Sequence, residues 1–283
     1  MADLDELFGG NETTAEQTQL SKEDWQILRE QNRAQAYEML EEATTALADP
    51  EPLTQYLDVQ SRFDRYSVSN ALLIAKQFPT ATRLADFKTW QEQGASIQKG
   101  QKAISILEPK EVTKQNGEKG TFYDVKKVFD ISQTTAEQTP ALVRKADEKR
   151  LIKALMRTSP VEMRISNQLS PDLNAMYSPQ DKAIYVRQGM SGADIFNALA
   201  REIILARSDK GDGHTAQRFA VSCVAYMVCK RSGIEPLPIQ EENPIKDMEP
   251  KDIRKAMKIV RDEANSITGE MEKTLRPKSR DER

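Results

Sequence analysis

Arg65-Tyr66-Ser67-Val68-Ser69-Asn70-Ala71-Leu72-Leu73-Ile74 is the stretch on which the reading of the fold turns. A hydroxyl at Ser67 or Ser69 can accept the free N–H groups of a first helical turn. Leu72, Leu73 and Ile74 give the helix an apolar surface to bury. It runs to Gln77 and ends before Pro79, because proline lacks the N–H and its ring crowds the preceding turn. A short helix this apolar needs a packed domain around it.

Toward the N-terminus, Leu53 to Tyr66 reads as a second helical stretch. Before it, Ser21 followed three residues later by Asp24 marks a capped helix start. Trp25, Leu28, Ala36, Met39 and Leu40 continue one amphipathic face to about Leu47, and Pro50 and Pro52 close it. Residues 1 to about 20 are acidic, polar and aperiodic, which predicts a disordered leader.

Toward the C-terminus, Ala85 to Gln93 is helical with Gly94 as its stop. Ala95–Ile97 and Ala103–Leu107 read as strands around a Lys99-Gly100 turn. Asn116-Gly117 is a hairpin signal between Lys110–Lys114 and Thr121–Phe129. Residues 62–134 therefore form one small α+β unit. Ser132 to Pro140 is linker-like, and Ala141 to Arg157 is helical. Val161–Ile165 is a strand, and Met176 to Val186 a hairpin around Pro179-Gln180-Asp181. Ser191 caps a helix through Leu205, which Gly211 and Gly213 interrupt; His214 to Lys230 is another helix, stopped by Gly233. A Pro-rich segment, 236–250, leads to a charged helix, Lys251 to Leu275. The fold class is α+β: a small α+β domain, then a mainly helical α+β domain.

Composition removes several function classes. The 283 residues include one histidine and two cysteines. One histidine excludes a His-Glu-x-x-His zinc site, and two cysteines exclude a four-cysteine zinc site or a disulfide framework. Cys223 and Cys229 fall on one predicted helix, roughly 9 Å apart in rise, too far for a bridge. They read as buried thiols of a cytoplasmic protein. Met1 to Gly10 has no basic n-region, and the apolar runs are too short to span a bilayer, so no membrane partner is expected. The net charge of −3 hides an uneven distribution. Residues 1–50 carry 12 acidic and 3 basic residues, whereas residues 62–130 carry 12 basic and 8 acidic. A mildly basic body permits nucleic-acid binding without establishing it.

Ordered landmarks then point to a family. The opening stretch is followed by Gln77-Phe78-Pro79-Thr80-Ala81-Thr82, Phe87, Trp90, Gly94, Ile97, Lys99-Gly100 and Lys102-Ala103-Ile104, and closes on Val128-Phe129-Asp130-Ile131-Ser132-Gln133-Thr134. This resembles the N-terminal single-stranded-DNA-binding domain of ArdC-type antirestriction proteins of plasmids and other mobile elements. In that family a zincin-like metallopeptidase domain follows. Tyr177, Ile184 and Leu199-Ala200-Arg201-Glu202-Ile203-Ile204-Leu205-Ala206 occupy the corresponding places, with Ser222 to Cys229 where a further acidic ligand is carried. The resemblance covers about residues 20 to 235. It implies a single-stranded-DNA-binding domain at 21–134 and a zincin-like domain at 141–235; the disordered acidic leader at 1–20 and the Pro-rich linker with a charged helix at 236–283 lie outside it.

The departures from the family pattern are chemical. Zincin histidines sit four apart on one helix face beside a glutamate base. Arg201 and Leu205 stand in those places, only Glu202 remains, and Ser222 replaces the acidic ligand. Protonated arginine offers no lone pair, and leucine no donor atom. The expectation is an inactive domain with no metal and no cofactor. In one reading the Arg201 guanidinium fills the former metal position and pairs with a carboxylate; in the other it reaches solvent. His214 follows a Gly211-Asp212-Gly213 turn and reads as a helix cap.

Single-strand binding needs cations for phosphates and flat rings for bases. Arg62, Arg65, Lys88, Lys99, Lys102 and Lys126 are the candidate cations, with Tyr66 as the stacking ring and Asn70 as a hydrogen-bonding group. Phe87, three residues before Trp90, reads as part of a buried stripe. The expected partner is single-stranded DNA, with a protein partner at the inactive domain as a further expectation. The competing reading is a protein-interaction module with little DNA binding.

Overall fold

The structure, a computed structural model, describes residues 21–113, 119–137, 147–208 and 215–276. The leader 1–20, the Asn116-Gly117 turn, the linker end with Ala141–Ala146, and Gly211–His214 lie outside the described residues.

The chain opens with α1 (Lys22–Thr45). The Ser21 hydroxyl accepts the Asp24 N–H at 3.1 Å, and the Asp24 carboxylate accepts the Ser21 N–H at 3.1 Å, closing a capping box. Pro50 sits in the first turn of α2 (Pro50–Arg62), where a missing N–H costs nothing. Of the two candidate caps, Ser67 starts α3 (Val68–Gln77), accepting the Asn70 N–H at 3.2 Å. After β1 (Leu84–Ala85), the short helix α4 (Phe87–Glu92) stops at Gly94, whose φ of +76° suits a residue without a Cβ.

β2 (Ile104–Thr113) and β3 (Lys119–Asp130) form one long antiparallel ribbon, in register from Ile104↔Val128 to Thr113↔Lys119. The two expected strands 103–107 and 110–114 are therefore a single strand. It passes through Pro109, which an edge strand tolerates. Ala95–Ile97 does not pair with β2; Ile97 bridges Thr134 instead.

The second half contains α5 (Glu148–Met156), β4 (Glu162–Ile165), β5 (Ala175–Ser178) and β6 (Ala183–Val186). β6 lies between the other two strands, parallel to β4 and antiparallel to β5. Helices α6 (Gly192–Ser208), α7 (Thr215–Arg231) and α8 (Pro250–Leu275) complete the chain.

One contiguous apolar core runs from Ala36 and Leu40 to Met271. α2 packs on both α3 and α7, and α8 packs on α7, α5, α1 and α3. The Tyr226 hydroxyl donates to Asp58 at 2.8 Å, and Arg231 donates to the Gln60 and Ser61 carbonyls at the end of α2. The two halves thus share their interior. α8 is not a solvated charged rod: Ile253, Met257, Val260, Ala264, Ile267 and Met271 are all buried. The expected face of α1 also divides. Ala36 and Leu40 are buried, whereas Trp25 and Leu28 are exposed.

Candidate nucleic-acid interface and degenerate cleft

α3 closes the free edge of β2 with two side-chain amides. Asn70 Nδ2 donates to the Leu107 carbonyl at 2.9 Å, and its Oδ1 accepts the Leu107 N–H at 2.8 Å. Gln77 does the same to Ser105, at 2.9 Å each way. Asn70, expected to touch a base or phosphate, spends its carboxamide inside the domain.

Three more of the expected residues have internal partners. Arg62 Nε donates to the Ala81 carbonyl at 2.9 Å, and its guanidinium also reaches the Pro79 carbonyl, pinning the loop after α3. Burial lowers its pKa, against the neighbouring Asp58 and Asp130. Tyr66 is half-buried, its ring edge-on to Phe63 at 5.4 Å, and burial raises its phenol pKa. Lys126 lies 3.0 Å from Glu108 and 3.1 Å from Asp86, and hydrogen bonds to both raise its pKa. It ties the start of α4 to the sheet.

The other four cations are exposed. Lys88 faces Glu92 only loosely, at 3.8 Å, while Arg65, Lys99 and Lys102 form no ion pair among the described residues. Lys99 and Lys102 flank Gly100, whose φ of +84° makes the turn. Phe87 overturns its expectation: it is 55% exposed, and only Trp90 of the pair is buried. Trp90 turns inward, its indole N–H donating to the Phe129 carbonyl at 2.9 Å, whereas Phe87 at the helix start stays open to solvent. Two further rings are exposed: Trp25, whose spacing placed it on the apolar face of α1, and Tyr123 on β3.

The second constellation lies on α6. The Arg201 guanidinium pairs with Glu241, from the Pro-rich segment after α7. One turn earlier, Asn197 donates to the Glu235 carbonyl at 3.0 Å and accepts the Leu237 N–H at 3.2 Å. Asn197 and Arg201, four apart on one face, thereby hold segment 235–241 across the helix. Burial would raise the Glu241 carboxyl, but Arg201 and the Ser222 side chain bring it below its usual value. Ser222 is buried on α7. Leu205 packs against the core. Glu202 Oε2 accepts the Tyr177 N–H at 2.7 Å. Desolvation raises the Glu202 pKa, against that hydrogen bond and the charges of Arg201 and Arg218.

These residues do not fit a divalent metal. Arg201 and Leu205 supply no lone pair, Glu202 is engaged by a backbone N–H, and Glu241 is engaged by a guanidinium. Among the described residues, no three His, Cys, Asp or Glu side chains gather as metal ligands. The two cysteines are buried thiols on α7. Burial pushes Cys229 up to about 12 and Cys223 higher still, where the nearby Glu241 adds to the effect. No helix among the described residues is long and apolar enough to cross a membrane.

Comparison with known proteins places this geometry. Residues 27–157 match the model of the N-terminal domain of the anti-restriction factor ArdC. An uncharacterized protein of Bacillus anthracis, pXO2-81, is 30% identical over an alignment of 140 residues, taking in 38% of this chain and 24% of that protein. The match thus spans about a quarter of that relative's length. Two crystal structures of the antirestriction ArdC protein from the R388 plasmid share the fold. The metal-free one has a TM-score of 0.53 at 17% identity, covering 74% of this chain and 86% of that one. The Mn(II)-bound one has a TM-score of 0.53 at 18% identity, covering 77% and 98%.

Proposed function

The chain belongs to the ArdC-type family through its N-terminal domain, and on that footing we propose that it is a mobile-element-associated protein that binds single-stranded DNA through residues of about 50–134. The observation that carries the reading is the set of exposed cations inside the matched domain. Arg65, Lys88, Lys99 and Lys102 remain available to phosphates after internal contacts have claimed Arg62 and Lys126. The plasmid origin of the structurally similar ArdC protein supports an antirestriction or conjugation-accessory role.

The second half of the chain is, in this reading, a scaffold without metallopeptidase chemistry. Its support is the ion pair of Arg201 with Glu241 and the absence of a lone pair at Arg201 and Leu205. Fluorescence anisotropy of a labelled oligonucleotide tests the DNA-binding reading. Binding is expected at low salt and should weaken steadily as salt rises, since released counterions drive it. No binding to single strands at low salt would overturn it.

A further inference from the structure

We propose that a base of single-stranded DNA stacks on Trp25 in a groove between α1 and β3, a contact that extends the surface beyond the cations named above and that rests on the single-strand-binding reading. The groove encloses about 490 Å³, and its lining includes Trp25, Leu28, Val125, Arg29 and Lys127. The indole of Trp25 is 60% exposed on the first turns of a helix that the Ser21–Asp24 capping box holds in place. A solvent-facing indole on an ordered helix is a stacking surface, because every base has a flat face to lay on it.

The charge around the groove suits a polyanion. Asp124 is met by Arg29 at 2.5 Å and by Lys110 at 3.0 Å, two cations on one carboxylate. Lys127 donates to the Ser105 hydroxyl at 2.7 Å, a neutral partner that leaves its charge unmatched. The groove lining thus holds two cations, Arg29 and Lys127, against one carboxylate, Asp124, beside an exposed indole. Strand alternation sets Tyr123, Val125 and Lys127 on one face of the ribbon, so a second exposed ring follows the same surface. An apolar peptide would cover Trp25 and Leu28 but leave the excess charge without a partner. A duplex keeps its bases stacked on one another and cannot offer one to the indole.

The chain's two tryptophans make the test direct. Trp90 is 1% exposed, with its indole N–H donating to the Phe129 carbonyl at 2.9 Å, so only Trp25 is open to a ligand. An unlabelled oligodeoxythymidine should quench the intrinsic fluorescence of the full chain, and a duplex should not. By anisotropy, Trp25→Ala should bind a labelled oligonucleotide roughly five- to a hundredfold more weakly. Trp25→Phe should keep most of the affinity, and both variants should keep the parent's thermal midpoint. Unmoved tryptophan fluorescence, together with unchanged affinity of Trp25→Ala for the oligonucleotide, would overturn the stacking site while single-strand binding stands. Absence of any oligonucleotide binding by the parent chain would overturn both.

Discussion

The carboxamide of Asn70 hydrogen-bonds both the N–H and the C=O of Leu107, standing where a neighbouring strand would stand. The contact is structural, so its loss should appear in stability. Asn70→Ala leaves a donor and an acceptor unmatched and should lower unfolding free energy by about 1–3 kcal/mol in urea denaturation. Oligonucleotide affinity of the folded variant should stay the same. A tenfold loss of affinity at unchanged stability would return Asn70 to the DNA surface.

Arg201 and Glu241 form the analogous link in the second half. Arg201→Ala leaves the sheltered Glu241 carboxylate without its cation and should destabilise by on the order of 2 kcal/mol. Adding Glu241→Gln should recover part of that loss, because the stranded charge is gone. Equal destabilisation in the single and double variants would mean that the pair carries no coupling.

Glu202 provides a pH test. Its folded pKa lies above its ordinary value of 4.5 because burial disfavours the charge. Between those two values the native state holds a proton that the unfolded state has lost, so stability falls as pH rises through the window. Glu202→Gln retains an acceptor for the Tyr177 N–H and removes the charge. It should be more stable than the parent at pH 7, with the gain disappearing below the unfolded value. A variant less stable than the parent at pH 7 would show the carboxylate to be favourably held.

Metal content checks the inactive-domain reading independently. Protein purified without chelator should carry well under one equivalent of zinc or manganese by elemental analysis. Stoichiometric metal would contradict the assignment of Arg201 and Leu205 as failed ligand positions.

Local chemistry made much of the fold legible. Ser21 with Asp24, and Ser67, announce helix starts through hydroxyls and carboxylates near a first turn. The β5–β6 hairpin shows in its turn residues and short apolar runs. What escaped was long-range. Ile253, Met257, Val260, Ala264, Ile267 and Met271 recur at alternating steps of four and three, a seam hidden among charged neighbours in α8. Asn70 met Leu107 across 37 residues, and Arg201 met Glu241 across 40. No spacing rule links such pairs, so an exposed-looking amide or guanidinium gives no local sign of where it will dock. Trp25 failed the other way: its helical spacing suggested burial, but its indole is 60% exposed.

The central claim is that the N-terminal domain binds single strands through phosphate contacts at exposed lysines. Its most direct test is the salt dependence of oligonucleotide affinity in the parent chain and in a Lys99→Ala, Lys102→Ala double variant. The slope of log affinity against log salt should be negative in the parent. It should be shallower by roughly 1.4 in the variant, about 0.7 for each lost contact on a single strand. An identical slope in the two proteins, or no measurable binding by the parent at low salt, would contradict it.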